Sequence, residues 1–210
     1  GSARRAWDWE TDRLEPLDAV VRCLGVGTKE DVLVIPFLSV EKGRPQGPTF
    51  YAASEEAALK DILRAWLVGP GLKISHNGGY YDSLVARTFL AVWPKNQRDM
   101  ILSQRISEPE MPHSLAYIGS TRLDIHRWKA GKPAENARTD RELWTYCAYD
   151  GSTTDDCEPA YVEQVAQRNL LPLLKLDHGV QAVCRTMHVN GMLVDQAERK
   201  RLHDHFAASA

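Results

Sequence analysis

The first third of the chain has the hydrophobic pattern of β-strands. Val20–Val26 and Val32–Val40 are rich in β-branched residues, and the polar segment Gly27–Asp31 separates them. This arrangement is typical of an antiparallel hairpin. With Arg4–Glu10 before it, the pattern predicts three strands that open the domain.

The pattern then changes to the helical period. Ser54 is a predicted N-cap for a helix that continues to Leu67, since acidic residues follow it and apolar residues recur three and four positions apart. Leu72–Ser75 is predicted as a short strand and Asp82–Val92 as a second helix. The order of three strands, helix, strand and helix predicts an α/β fold with a mixed sheet covered by helices.

The second half is predicted to be mainly helical. Helices are expected over Asp99–Ile106, over His113–Ile118 and from Thr139 to beyond Tyr161, and Gln196–Phe206 is amphipathic. Thr121–Arg138 is polar and contains Gly and Pro, so a long surface loop is expected there. Its basic residues are Arg122, Arg127, Lys129, Lys132 and Arg138.

Composition narrows the class of protein. The 210 residues are 43% hydrophobic and 26% charged, which allows an ordinary globular core and argues against disorder. No run of 18 uncharged apolar residues and no signal peptide is present, so we expect a protein that neither spans a membrane nor is secreted. A net charge of −2 gives no sign of a nucleic-acid partner. The four cysteines lack metal-site spacing, which favours reduced thiols in a cytoplasm.

Two acids at the end of the first predicted strand form the first candidate site. Asp8 and Glu10 are two residues apart, so they face the same side of the sheet, and Trp7 and Trp9 face the other. Adjacent carboxylates repel each other unless they share a cation such as Mg²⁺. The spacing alone also fits a solvated strand edge.

Two further clusters contain residues suited to the same chemistry. Asn77 and Asp82 flank a Gly-Gly turn between a strand and a helix, where they could equally serve as a turn residue and a helix cap. Tyr146 and Asp150 are four residues apart on the long predicted helix, so they share a face one turn apart. Taken singly, each cluster has an ordinary structural explanation.

Together, the three clusters resemble the motifs of the DEDD superfamily of 3′–5′ exonucleases, in its tyrosine-containing (DEDDy) branch. The residues that carry the resemblance are Asp8-x-Glu10, Asn77-x-x-x-Tyr81-Asp82 and Tyr146-x-x-x-Asp150. The opening Asp8 to Leu14 is similar to the D-x-E-T-D-x-L start of proofreading domains in family A DNA polymerases. Asp99–Leu102 and Pro112–Leu115 are similar to a further stretch of that family.

The C-terminal part resembles the passage from exonuclease to polymerase in family A enzymes. Pro172–Leu174 and Met187–Asp195 carry this likeness, with His188 in place of the usual acid. We therefore expect residues 1–2 to be a tag remnant, residues 3–168 an exonuclease domain, and residues 169–210 the beginning of a polymerase region. The sequences around Trp128-Lys129 and Glu142–Tyr146 are most similar to those of bacteriophage enzymes. This resemblance implies that the protein acts in the cytoplasm of a host cell.

The resemblance implies an RNase H-like (DnaQ-like) fold with a mixed five-stranded sheet flanked by helices. It also implies two divalent cations, Mg²⁺ or Mn²⁺, which hydrolyse the terminal phosphodiester of single-stranded DNA or a frayed primer 3′ end. The polymerase domain of the same chain would be the protein partner. An RNase D-type exoribonuclease and an inactive exonuclease-like scaffold are the alternatives.

The resemblance also assigns roles to individual residues. Asp8 would be shared by both cations, Glu10 and Asp150 would complete one site, and Asp82 would serve the other. Tyr146 would orient the attacking water. The implied substrate-binding residues are Thr11, Asn77 and Leu14, the last as a wedge against the terminal base. The basic loop could contact DNA phosphates, or it could simply be solvated.

Overall fold

The computed structural model describes residues 4–40, 49–125, 128–129, 137 and 139–207. The predicted tag remnant, the Gly/Pro-rich segment 43–48 and most of the basic loop lie outside the described residues. Among the basic-loop residues, Arg127, Lys132 and Arg138 are therefore not described, whereas Arg122 and Lys129 are.

Five strands form one mixed sheet in the order β3-β2-β1-β4-β5. Their bounds are β1 Arg5–Thr11, β2 Val21–Gly27, β3 Val32–Pro36, β4 Lys73–Ser75 and β5 Gln97–Asp99. β1, β2 and β3 pair antiparallel, with Glu10 opposite Cys23, so the predicted hairpin is confirmed. β1–β4 and β4–β5 pair parallel. The chain thus has the predicted mixed sheet.

Seven helices are described around this sheet. They are α1 Ala53–Val68, α2 Tyr81–Leu90, α3 Met100–Ser107, α4 Leu115–Arg122, α5 Asp140–Gln167, α6 Leu171–Asn190 and α7 Gln196–Ala207. α1 and α2 cover one face of the sheet, and α5 crosses the other face beside α3 and α4. No helix in the described part of the chain is long and apolar enough to cross a membrane.

The alternation along β1 separates the two faces as predicted. Trp7 and Trp9 are buried in the core beneath α1 and α2, where Trp9 makes an edge contact with Phe89 at 5.7 Å between ring centroids. Asp8 and Glu10 point to the opposite face, towards Cys147 of α5. One strand therefore anchors the core with one set of side chains and presents acids with the other.

Helix α5 packs closely on the sheet because small residues face each other there. A Cβ at Gly25 would lie 2.9 Å from the Cys147 sulfur, so only glycine allows this approach. α5 continues through Pro159, which cannot donate to the carbonyl of Asp155. The Arg4 guanidinium donates to that carbonyl at 3.3 Å and so replaces the missing helical bond.

Several predicted boundaries were wrong, each for a local reason. β5 was not predicted because Gln97–Asp99 is short and polar, and Asp99 is the last residue of this strand and the N-cap of α3. α1 begins at Ala53 with Ala52 as its N-cap, not Ser54, since the Glu55 carboxylate accepts a bond from the Ala52 N–H at 2.9 Å. β3 ends at Pro36, four residues before the predicted Val40.

Candidate active site

Asp8 and Glu10 are neighbouring acids on β1, at the face that α5 covers. One carboxylate oxygen of each lies within 4.8 Å of the other and of the Cys147 sulfur. The Cys147 thiol donates to the Asp8 carbonyl at 3.8 Å. Its interaction with the Cys23 thiol, followed by burial, raises the pKa of Cys147, so Cys147 faces the acids as a neutral thiol.

Asp82 reaches the same place from the first turn of α2. It is buried, and its Oδ1 accepts a hydrogen bond from the Trp9 backbone N–H at 2.7 Å, which fixes it against β1 between Asp8 and Glu10. The turn before it must come close, since a Cβ at Gly78 would lie 2.6 Å from Asp82 Oδ2. Asn77 adopts the left-handed conformation at φ 65°, which Asn tolerates better than most residues.

Asp99 is the residue that holds this turn together. It is fully buried at the end of β5, and it accepts the backbone N–H groups of Asn77 at 2.7 Å and Gly79 at 3.0 Å. Gln181 of α6 donates to the same carboxylate at 2.7 Å. Asp99 therefore fixes the segment that leads to Asp82, a role that the sequence analysis missed.

Asp150 and Tyr146 lie one turn apart on α5, as their spacing predicts. Two residues of the loop before α5 hold them. The Trp128 indole N–H donates to Asp150 Oδ1 at 2.5 Å, and the Lys129 ammonium donates to Asp150 Oδ2 and to the Tyr146 hydroxyl oxygen, each at 2.5 Å. The expectation of a surface loop is wrong here, because Trp128 is buried.

The electrostatics of the acids reflect crowding. Burial, followed by repulsion from Asp150, raises the pKa of Asp8 to about 7. Burial and the charge of Asp8 raise the pKa values of Glu10 and Asp82 well above their usual range. Burial and Asp150 likewise raise the pKa of Tyr146, so its phenol stays protonated. Protein groups alone leave these carboxylates short of positive charge.

The donor set fits divalent cations that prefer oxygen. The Asp8 and Glu10 carboxylates lie together, and Asp8 interacts with the charges of Asp150 and Asp82. The charged forms of these acids are disfavoured without a cation, and the nearby sulfur is a neutral thiol. Mg²⁺ and Mn²⁺ take such carboxylate oxygens together with water, whereas softer metals favour thiolate or imidazole. The residues that would hold such cations are Asp8, Glu10, Asp82 and Asp150.

A cleft of about 500 Å³ opens beside these acids. Its lining includes Glu10, Thr11, Leu14, Tyr81 and Tyr146, so the structure brings two predicted substrate residues to the mouth of the site. Leu14 is 90% exposed there, so its apolar side chain is accessible to a ligand in the cleft.

Thr11 and the third predicted substrate residue, Asn77, differ in their surroundings. The Thr11 hydroxyl shares a 2.5 Å bond with the Tyr81 hydroxyl and donates to the Arg13 carbonyl at 2.9 Å, which shapes the segment carrying Leu14. Asn77 is exposed and lies at the turn before Asp82, outside the set that lines the cleft.

Trp128, Lys129 and Asp99 are the residues of the site that sequence reasoning missed. Trp128 is a large apolar residue in a polar stretch that contains Gly and Pro. Such a residue indicates that the loop turns inward, and this signal could have identified Trp128 and Lys129. The sequence around Asp99 gives no such signal, since its partners are backbone N–H groups 20 and 22 residues away.

The sheet order and the helix that carries Tyr146 and Asp150 across it define an RNase H-like (DnaQ-like) fold, as predicted. No protein-family model and no curated protein matches the sequence.

Solved structures do match over most of the chain. NrnC from Brucella melitensis, solved with bound pGG, aligns with a TM-score of 0.69 and 15% identity over 90% of this chain and 86% of NrnC. RNase D from Escherichia coli is described as an exoribonuclease involved in structured RNA processing. It aligns with a TM-score of 0.61 and 14% identity over 92% of this chain and 46% of the RNase D chain. The POL domain of Pol1 from M. smegmatis, in complex with DNA primer-template and dNTP, aligns with a TM-score of 0.67 and 18% identity. The alignment covers 97% of this chain and 31% of the Pol1 chain.

Proposed function

We propose that the protein is a divalent-metal-dependent 3′–5′ exonuclease that releases 5′-mononucleotides from DNA 3′ ends, as the proofreading part of a longer family A DNA polymerase. One observation carries the proposal. Acids from three separate elements, Asp8 and Glu10 on β1, Asp82 on α2 and Asp150 on α5, act on one another electrostatically. Glu10 and Tyr146 of this group line a cleft.

The four acids would hold two divalent cations, with Asp8 shared by both. When bound, the cations would lower the pKa of a coordinated water and would stabilise the attacking and leaving oxygens of an in-line displacement. The chain supplies the geometry: β1 sets Asp8 and Glu10, the Trp9 N–H sets Asp82, and Trp128 sets Asp150.

Tyr146 would orient the attacking water rather than deprotonate it. Its raised pKa keeps the proton on the phenol at neutral pH, which makes it a poor general base. Since the Lys129 ammonium already donates to the phenol oxygen, the phenol proton is available to an acceptor in the site.

The cleft explains how a strand end would be presented. Leu14 projects from the β1–β2 connection as an exposed apolar side chain beside the acids, where it would contact the terminal base. Thr11 and Tyr81 hold its segment through their mutual hydrogen bond. Asn77 would support the substrate from the turn before Asp82.

Support for an attached polymerase comes from the second helical region. α6 has an exposed apolar stripe that alternates three- and four-residue spacing, the pattern of a helix that packs against another helix. The stripe consists of Leu173, Leu176, Val180, Val183 and Met187, which are 42 to 64% exposed. The likeness to the Pol1 chain, of which this chain covers 31%, agrees with a larger protein. Residues 169–210 would then begin the polymerase region, and the phage assignment rests on sequence resemblance alone.

An RNase D-type exoribonuclease is the second candidate, because the E. coli RNase D structure shares the fold over 92% of this chain. An inactive scaffold is the weaker alternative, since such a domain does not need four acids brought together. The exoribonuclease would degrade RNA rather than DNA, and the scaffold would degrade neither.

One digestion experiment separates these functions. A 5′-labelled single-stranded DNA, a primer with a matched or mismatched 3′ end, and an RNA of the same sequence are incubated with Mg²⁺ or Mn²⁺. The proposal predicts stepwise shortening of DNA, faster at the mismatched end, and no shortening with Asp8→Asn protein. Preferred degradation of RNA would favour the exoribonuclease, and no shortening of any strand would favour the scaffold.

A further inference from the structure

Lys129 occupies an unusual position for a lysine in a metal-binding carboxylate site. Its ammonium contacts Asp150 Oδ2 and the Tyr146 hydroxyl at 2.5 Å each, and it lies 4.5 Å from the centre of the Tyr146 ring. Within the described residues, the pair of Lys129 with Asp150 is the ion pair in which one of the four acids takes part. Lys129 also offsets the repulsion among the buried acids, since its charge acts on Asp8 and on Glu10.

The two loop residues on Asp150 differ in what they do to a cation. Trp128 is a neutral donor, and its bond to Oδ1 orients the carboxylate without opposing a positive ion. Lys129 is a full positive charge on Oδ2, so a divalent cation bound to that oxygen would be strongly repelled by the ammonium beside it. Occupation of Oδ2 by both is therefore unfavourable.

Lys129 is also built to move where Trp128 is not. Trp128 is buried, packs with α4 and α5 residues in a core cluster and stacks on Tyr149. The Lys129 side chain is 21% exposed and carries its charge on a flexible four-carbon stem. The ammonium can leave Asp150 by rotation about side-chain bonds while the backbone stays in place.

We propose, as an extension of the function above, that Lys129 is an internal counter-ion that holds Asp150 in the metal-free protein, yields it to the divalent cation, and then binds the phosphate of the substrate from its place beside Tyr146. Such a residue stabilises the metal-free site and competes with the metal. A residue that merely orients a ligand does the opposite, because its loss weakens metal binding.

Two substitutions distinguish these roles. Lys129→Met removes the charge and keeps the stem, whereas Trp128→Phe removes the neutral hydrogen bond to the same carboxylate. Lys129→Arg keeps the charge, Lys129→Gln serves as a second neutral variant, and Lys200→Met removes a lysine that pairs with Asp204 on exposed α7. Calorimetric titration with Mn²⁺ alone, thermal unfolding in EDTA, and single-stranded DNA digestion at saturating Mn²⁺ are measured for each.

The proposal predicts opposite shifts for the two neighbours. Lys129→Met and Lys129→Gln should lower the unfolding temperature in EDTA, tighten Mn²⁺ binding about tenfold and slow digestion at saturating Mn²⁺ about tenfold. Trp128→Phe should weaken Mn²⁺ binding about tenfold. Lys129→Arg should keep the wild-type Mn²⁺ affinity, and Lys200→Met should change none of the three.

Mn²⁺ binding to both neutral Lys129 variants that is unchanged or weaker than wild-type would overturn the proposal, as would an unchanged unfolding temperature in EDTA. Failure of the wild-type and variant proteins to bind Mn²⁺ would overturn it as well. Wild-type protein that binds Mn²⁺ but leaves DNA and RNA intact would contradict the proposed exonuclease function alone.

Discussion

The two sides of the acid cluster are held by different kinds of partner. On the Asp82 side, comprising Asp82 and the Asn77–Gly79 turn, the partners are backbone N–H groups and the buried Asp99. On the Asp150 side, comprising Asp150 and Tyr146, the partners are the side chains of Trp128 and Lys129. Backbone donors in a sheet keep one position, whereas a lysine on a loop has several rotamers.

The difference shows that carboxylates of one site can be held in two ways. The Asp82 side is fixed by backbone donors, and the Asp150 side is held by a side chain that can change its rotamer. β1 lies between the two sides and carries Asp8 and Glu10. Among the described residues, Asp82 has no ion pair that a cation would have to displace, since its Oδ1 accepts the Trp9 N–H and its Oδ2 lies against Gly78. The Asp150 side has to exchange Lys129 for the cation.

The largest effect is expected where both sides meet. Asp8→Asn removes the acid placed to serve both cations, and we expect DNA digestion to fall by about 10³-fold or more, because metal stabilisation of the transition state amounts to several kcal/mol. The same change should raise the unfolding temperature in EDTA, since it removes a buried charge with a pKa raised to about 7. Unchanged digestion by a folded Asp8→Asn protein would contradict the assignment.

Tyr146→Phe tests the Asp150 side without removing an acid. The phenol orients the attacking water in our account, so we expect the turnover rate to fall by about 10- to 100-fold. The Mn²⁺ affinity should stay near the wild-type value, since the phenol is not a ligand. A loss confined to metal affinity would show that Tyr146 acts through Asp150 instead.

Asp99→Asn tests whether the turn that positions Asp82 depends on the Asp99 carboxylate. The amide keeps the shape but loses the charge that accepts the N–H groups of Asn77 and Gly79. We expect about tenfold slower digestion and weaker metal binding, as for other supports of metal ligands, together with a lower unfolding temperature. A variant with wild-type digestion would show that the turn keeps its position without this carboxylate.

The smallest effect concerns the contact of α6 with the Asp82 side. Arg185 donates to the Gly79 carbonyl at 3.1 Å and to Ser83 Oγ at 3.2 Å, so Arg185→Ala should lower digestion by about two- to fivefold. Arg199→Ala, an exposed position on α7, is the matched control. Equal behaviour of the two variants would indicate that α6 does not support the site.

The same comparison explains what the sequence could predict. Period-two alternation places Asp8 and Glu10 on one face and Trp7 and Trp9 on the other, and the i, i+4 rule places Tyr146 beside Asp150, because both depend only on local geometry. The sheet class followed from the order of the elements. These features need no knowledge of distant contacts.

The remaining features depend on contacts between distant segments. Lys129 reaches Asp150 across 21 positions, and Gln181 reaches Asp99 across 82. β5 is three polar residues that become a strand only because β4 lies beside them. Period and propensity carry no information on such pairings, so the support of the site had to come from the structure.

The central claim is that four acids around Asp8 hold two divalent cations. The most direct test is an anomalous diffraction measurement on crystals of the wild-type protein soaked with Mn²⁺ and a nucleoside 5′-monophosphate. We predict two Mn²⁺ peaks about 3.5–4 Å apart, both within bonding distance of Asp8, with Lys129 no longer bound to Asp150. Absence of any Mn²⁺ peak at Asp8 would contradict the account.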